Sequence, residues 1–524
     1  MRLEQMSLQR IIITGASGFV GRHLLDVFKE DFRIYALARR SQARSEAPVH
    51  PNITWFQADI ADRRAIEGVF GQIAAEGGAE IVIHLAAYYD FTGEEHPEYH
   101  RTNVQGLRNV LDLSGLVGIR HFIFSSSVAA SAFPAPGAAL TETSLADGTH
   151  IYARTKRIGE DMLAEYRDVF PSVIVRFAAL FSDWCEYPPL YMFLDTWLSS
   201  RWNRRVLGGR GQSAIPYLHV KEVPRFFMCL LDRLPDLPPG QVVIASPDGA
   251  VSHRELFEVA CREYLGHRAE PLFLPKLLCG PGIRARDLLG RVVGERPFER
   301  PWMAEYIDQR MTVNAGWSRR ILGWEPRPRL EILRRMPFLT ENLKMDPLEW
   351  DRLNHAAMKQ IEGRSYLRIH ELLEKHEEEI CDEFTRRLTS PDGRRRFPAY
   401  QNLGADQHRW NHKILLRNLK NAVRTRDRGV LIAYCVDLAE RRFQEGYPGQ
   451  QVCATLRILN QVCFIVLRRD PEAAGLKSDM IDHITLTLRA GCDRAQEVFE
   501  ELETAAARTR QRDAMTWDWW LTGG

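Results

Sequence analysis

Residues 11–21 read Ile11-Ile12-Ile13-Thr14-Gly15-Ala16-Ser17-Gly18-Phe19-Val20-Gly21. A short, wholly apolar run feeds into three glycines spaced three apart, and a helical stretch, His23–Phe28, follows. A strand buried on both faces reads this way. The first glycine permits a tight turn and the second lets a ligand approach the backbone. The third lets helix and strand pack closely. Unpaired N–H groups at a helix start attract phosphate, so the stretch predicts a dinucleotide cradle at the end of the first strand.

Working outward, similar apolar runs recur at Ile11–Thr14, Arg33–Leu37, Ile81–His84, His121–Ser125 and Val173–Phe177, with helical stretches between them. Strands alternating with helices predict βαβ units and a doubly wound parallel sheet. The texture changes near Lys344–Trp350, and only helical spacing follows. Val452, Leu456, Leu459, Cys463 and Val466 step by four and three, as one buried helix face does. Leu431, Tyr434, Leu438 and Phe443 behave similarly. Pro391-Asp392-Gly393 and Gly446-Tyr447-Pro448-Gly449 read as turns between helices. The expected fold class is therefore α/β, a Rossmann-like sheet with a small substrate subdomain, followed by an all-α bundle. The domains are drawn at 1–345 and 346–512, with a tail at 513–524.

Composition narrows the classes. The 524 residues are 45% hydrophobic and 26% charged, which is ordinary for a globular chain. Lys and Arg number 70 against 68 Asp and Glu, a formal charge of +2. That balance gives no electrostatic case for nucleic acid or an anionic membrane. The nine cysteines include no C-x-x-C pair, so neither a disulfide scaffold nor a thiolate metal site is expected. The leader Met1–Arg10 lacks the apolar core of a signal peptide. Phe122–Thr141 is uncharged for 20 residues, but four Ser and two Pro mark it as strand plus loop. A cytoplasmic protein is expected.

Cofactor choice turns on the end of the second strand, Leu37-Ala38-Arg39-Arg40-Ser41. An acid there selects NAD by accepting from the ribose hydroxyls. Two arginines stand there instead, and a guanidinium suits a 2′-phosphate. NADP is favoured, with Arg39 as the contact, and NAD stays open. Further on, Tyr152 and Lys156 lie four apart, on one face of a helix. A cation beside a phenol favours its ionised form, which would suit Tyr152 to proton exchange near neutrality. Ser127 follows the strand His121–Ser125, at the ligand edge of such a sheet.

With these residues assembled, the chain over about residues 9 to 340 resembles the extended short-chain dehydrogenase/reductase family, the NAD-dependent epimerase/dehydratase group. The markers are Thr14 to Gly21, Asp59-Ile60, His84-Leu85-Ala86-Ala87, Asn103-Val104, Ser125-Ser126-Ser127, Tyr152 with Lys156, and Leu322-Gly323-Trp324-Glu325-Pro326. The resemblance implies a cofactor site of Gly15, Ser17, Gly18, Phe19, Val20, Gly21, Ile60, Leu85, Ala86 and Ala87. It implies that Asp59 holds the adenine amino group and that Lys156 binds the nicotinamide ribose. Tyr152 would be the acid/base, Ser127 would bind the reacting oxygen, and Asn103 would support the site from a neighbouring helix.

Departures from the family pattern narrow the chemistry further. Sugar 4,6-dehydratases of the group carry Asp-Glu after the active-site hydroxyl, where Val128-Ala129 stand here. Nucleotide-sugar epimerases place an Asn three residues after the sixth-strand Arg, and an Arg four before the later His. Ala179 and Ile215 occupy those places. Tyr88, Tyr89 and Phe91 on one loop, with Trp184, Tyr187, Pro188, Pro189 and Tyr191 on another, suit an apolar substrate. The expected reaction is hydride transfer between NADP(H) and a secondary alcohol or ketone. The alternative among enzymes is a sugar epimerase with tightly held NAD. The alternative of another class is a nucleotide or redox sensor that signals through the helical half.

That half resembles the N-terminal helical domain of the RsbR-type stress-signalling co-antagonists, through Glu445-Gly446-Tyr447-Pro448 and the helix after it. The resemblance implies a regulatory or dimerisation module, so a homodimer and a signalling partner are expected. His408 and His412 share a helix face but lack a third ligand, and no metal is expected. Pro391 to Val430 holds ten Lys/Arg against three Asp/Glu. It reads as a solvated face, with no nucleic-acid or membrane partner.

Overall fold

The computed structural model describes residues 8–293, 298–358, 365–473 and 476–521. The chain forms two compact units, Met1–Glu362 and Gly363–Gly524.

The first unit is built on seven parallel strands: β1 (Gln9–Thr14), β2 (Phe32–Ala38), β3 (Ile53–Gln57), β4 (Ile81–His84), β5 (His121–Ser127), β6 (Ser172–Phe177) and β7 (Gln241–Ala245). Their order is β7-β6-β5-β4-β1-β2-β3, and the strand order reverses between β1 and β4. Helices cover both faces. Against one face lie α1 (Phe19–Phe28) and Val223–Arg233, with Trp324 buried among them. Against the other lie α2 (Arg63–Ala75), α3 (Leu107–Ser114) and α4 (Ile151–Glu165). The five strands read from apolar runs are present. β3 and β7 were not read. In β3, Ile53 to Phe56 are only half-buried at the sheet edge, so the run lacks a continuous core signature.

A separate core serves the substrate side, from Pro188–Trp197, His253–Leu265, Ile332–Met345 and Pro347–Met358. This corrects the boundary drawn at 345. Trp350 is buried in that core, and Asn354 donates to the Trp184 carbonyl at 2.7 Å while accepting from Glu186 N at 2.9 Å. Helix Pro347–Met358 therefore belongs to the first unit.

The described part of the second unit is helical, with its core led by Gly449–Leu467. Val452, Leu456, Leu459, Cys463 and Val466 are all buried, as their spacing predicts. By length and composition that helix could cross a membrane, yet ten of its residues are buried among the other helices. On Gly429–Gln444 the buried face is Leu431, Cys435 and Ala439, with Tyr434, Leu438 and Phe443 at its margins. Pro391-Asp392-Gly393 is not a turn. Ser390 accepts from Gly393 N and caps a short helix, Pro391–Arg396. The last helix, Leu486–Leu521, takes in residues 513–521 of the stretch set apart as a tail; the rest of that stretch lies outside the described residues.

These contacts predict that a fragment of residues 1–362 melts cooperatively, and that 1–345 melts at a clearly lower temperature, having lost Trp350 and Asn354. Circular dichroism melts of the two fragments check this.

Candidate functional site

The crossover between β1 and β4 sets the site. Gly15 sits at φ +70, where side chains are strained, and a Cβ there would stand 2.7 Å from Ala86 N. At Gly21 a Cβ would meet Gly15 O at 2.6 Å. Gly18 N donates to Gly15 O at 2.9 Å and closes the turn. The start of α1 carries no side-chain cap, so its N–H groups face the open cradle. Thr14 Oγ1 lies 3.0 Å from His84 Nδ1 and accepts from Ala86 N, tying the two strand ends together. Burial, with Lys156 nearby, pushes the His84 imidazole down to about 3, so it is neutral. Only glycine lets the backbones close here, and the uncapped N–H groups at the start of α1 suit a dinucleotide pyrophosphate.

Above the strand ends lies a cleft of about 1150 Å³. Ser17, Phe19, Val20, Leu85, Ala87, Ser127, Tyr152 and Lys156 line it. Other expected residues act from behind or turn away. Asn103 lies in a π-helical segment, Tyr99–Gly106, and donates to Tyr88 O at 3.0 Å and Thr155 Oγ1 at 3.1 Å. It thus holds the Leu85–Tyr89 loop against α4. Asp59 caps its own turn through Ala61 N and pairs with Arg101 at 3.7 Å, and Ile60 O accepts from Asn109. Gly15, Gly18, Gly21 and Ala86 contribute backbone.

Arg39 departs from expectation. It pairs with buried Glu98 at 3.8 Å, while Arg40 and Arg44 line the cleft. Arg40 donates to Ser17 O at 3.2 Å, which brings a guanidinium to the glycine turn. Two adjacent arginines on a strand end point to opposite sides, and the sequence alone does not say which faces the ligand.

Tyr152 and Lys156 share one face of α4. Tyr152 and Ser127 both line the cleft, and the Tyr152 ring stacks on Tyr89 with centroids 4.2 Å apart. The expectation that Lys156 holds the phenol near neutrality is not met. Burial pushes Tyr152 up to about 12, against a smaller opposing effect of Ser127. The Lys156 ammonium lies 5.6 Å from the Tyr152 ring centroid and donates to Ser125 O at 2.6 Å. Burial brings Lys156 itself down to about 8. Desolvation outweighs the cation here.

Behind them is a pair the sequence reading missed. Buried Arg176 on β6 grips Glu160 on α4 through two bonds, at 2.7 and 3.0 Å, and Glu160 also accepts from Ser126 Oγ at 2.6 Å. This network locks α4 to β5 and β6. Glu160 lies one turn beyond Lys156, and that spacing was the available signal.

The remaining walls are mostly apolar. Tyr89, Phe91, Tyr187, Pro188, Pro189, Phe133, Trp302 and Tyr306 line the cleft, as do Ala179 and Ile215. Tyr88 turns into the core, with its hydroxyl on Asp90 at 2.9 Å. Trp184 and Tyr191 pack in the substrate-side core rather than lining the cleft. Phe91 and Glu186 line it at φ +57 and +51, and Cys185 precedes Glu186 at +75. Non-glycine residues hold this region only where surroundings impose it. Asn354 and the hydrogen bond from Ser182 Oγ to Glu186 do so for Glu186.

The fold and cleft define a Rossmann-type dinucleotide-binding unit. Residues 11–245 match the model of the NAD dependent epimerase/dehydratase family. A UDP-glucose 4-epimerase of Rhizobium leguminosarum bv. trifolii is 26% identical over 360 residues, 63% of this chain and 96% of the relative. The 3 beta-hydroxysteroid dehydrogenase type 7 of Rattus norvegicus is 29% identical over 124 residues, 22% of this chain and 35% of the relative. Several other curated relatives are likewise spanned over half of their length or less. A solved UDP-glucose 4-epimerase of Thermotoga maritima, with UDP-glucose, has a TM-score of 0.50 and 19% identity. It aligns with 64% of this chain and 99% of its own. That likeness supports the fold.

Gly15→Ala is expected to weaken NADPH and NADH binding by at least about tenfold, because the Cβ must displace the Ala86 backbone. Fluorescence titration of the purified chain measures this.

Proposed function

We propose that the first unit catalyses reversible hydride transfer between NADP(H) and a secondary alcohol or ketone on a largely apolar substrate. The observation that carries this reading is that Ser127, Tyr152 and Lys156 line one cleft whose remaining walls are mostly apolar. Ala179 and Ile215 are among those walls, at the two positions where the family resemblance implied an Asn and an Arg for a sugar nucleotide. A diphosphate there would lack those two partners, and with them charge-assisted bonds worth about 1.5–3 kcal/mol each, although Arg286 reaches the same cleft.

When bound, the dinucleotide supplies the hydride. The chain's residues do the rest. Tyr152, protonated at neutral pH, gives its proton to the carbonyl oxygen as the carbon is reduced, and takes it back in oxidation. Ser127 donates a hydrogen bond to the same oxygen and fixes its position. Lys156, charged below about pH 8, bears on the ribose and on the phenolate left after proton transfer. Asn103 keeps the Leu85–Tyr89 loop seated. Arg40 and Arg44 provide the cations for a 2′-phosphate.

A second reading has its own support. The UDP-glucose 4-epimerase of Rhizobium is matched along nearly its full length, which favours a sugar 4-epimerase with retained NAD. Both readings use Tyr152 in the same way. A pure sensor has no need of an assembled Ser127, Tyr152 and Lys156. We read the helical unit as a regulatory or dimerisation module of a cytoplasmic homodimer.

Four outcomes are expected. Consumption of NADPH with apolar ketones, followed by absorbance, supports the reductase; copurified NAD with interconversion of UDP-sugars and no net absorbance change supports the epimerase. Tyr152→Phe lowers turnover by about a thousandfold or more while leaving dinucleotide affinity nearly intact. Carbonyl reduction falls as pH rises through about 8, because Lys156 loses its charge there, and Lys156→Met removes that limb from the residual pH profile. Arg40→Ala weakens NADPH binding more than NADH binding; equal loss for both removes the NADP assignment.

A further inference from the structure

Two segments form the outer rim of the cleft on its substrate side. Val206–Gly208 pairs in parallel with Leu272–Leu274, and helix Lys276–Val293 follows, with Cys279 Sγ near Gly208. Trp202, Leu274 and Ile283 from these segments line the cleft itself. The same segments present large apolar side chains to solvent. Trp202 is 91% exposed, Leu277 89%, Leu288 66% and Leu289 64%. Leu272, Phe273 and Leu278 are exposed beside them. A monomeric soluble surface rarely gathers so much bare hydrocarbon.

Charge on this rim is one-sided. Arg201, Arg204, Arg205 and Arg210 flank Trp202, and residues 201–210 include no acid. Lys276, Arg284 and Arg286 lie on the helix, whose one described acid, Asp287, is buried and paired with Arg300 at 3.3 Å. Asp195 meets Arg201 at 2.7 Å, Glu299 meets Arg286 at 3.6 Å, Asp308 accepts from Arg210 N, and exposed Glu270 precedes Leu272, yet the seven basic residues named outnumber these acids. The net charge of +2 concealed this, because acids elsewhere in the chain offset a local basic cluster.

We infer that this rim is a membrane-surface docking site, on which Trp202 and the exposed leucines enter the headgroup boundary of an anionic bilayer. Leucine and tryptophan beside arginine and lysine are the chemistry of interfacial helices. Each basic residue near an anionic leaflet adds attraction. The rim is continuous with the cleft, so an apolar substrate passes from lipid to Tyr152 without crossing water. That last consequence rests on the reductase reading; the docking itself does not.

The test uses the full chain and two kinds of vesicle, phosphatidylcholine alone and phosphatidylcholine containing phosphatidylglycerol, in a sedimentation assay without cofactor or substrate. The wild type is expected to pellet with the anionic vesicles and far less with the neutral ones. Leu277→Asp with Leu278→Asp, and separately Arg204→Glu with Arg284→Glu, lowers vesicle affinity by about tenfold or more. Both variants should keep NADPH binding, which shows that they fold. No wild-type pelleting, or pelleting unchanged in both variants, overturns the inference. So does loss of a dimer in gel filtration by the leucine variant without any lipid binding, which would assign the rim to a second copy of this chain. NADPH oxidation with apolar ketones is measured separately, so failure of the reductase reading and failure of docking are distinguishable.

Discussion

The close approach of two backbones, Gly15 after β1 and Ala86 after β4, is the constraint on which the rest depends. No side chain fits between them. The approach exists because β1 and β4 are neighbours at the point where the sheet reverses direction. It opens a crevice at the strand ends, leaves the start of α1 uncapped, and places the loop after β4 where Asn103 can hold it. The hydroxyl of Thr14, shared between His84 and Ala86 N, maintains the spacing.

Within that crevice burial governs the electrostatics. A phenol, an ammonium group and an imidazole are all removed from water, and each shifts toward its neutral form: Tyr152 up, Lys156 and His84 down. A protonated phenol is the form an acid needs when a carbonyl is reduced. The charged pair that anchors this region, Glu160 with Arg176, lies one layer deeper and carries its own hydrogen bonds. The working groups are thus held by a rigid polar scaffold, with the phenol neutral and the ammonium group charged below about pH 8.

The substrate side is assembled from parts far apart in sequence. Loops after β4 and β6, helix Lys276–Val293 and helix Pro347–Met358 all reach the same cleft. The strained residues Phe91, Cys185 and Glu186 occur where these parts converge.

The amino-acid sequence alone determined the parallel sheet, the glycine cradle, the Tyr152–Lys156 helix face and the buried face of Gly449–Leu467. Each is a local pattern, fixed by the period of a strand or a helix. Tertiary structure alone decided the rest. It turned Arg39 to Glu98 and Arg40 to the cleft, put Trp350 into the first unit's core, and paired Glu160 with Arg176. It also gathered the rim's cations on one edge. Those outcomes depend on which distant segments meet, and on how far burial outweighs a nearby charge, and neither is encoded in the spacing of residues along one element.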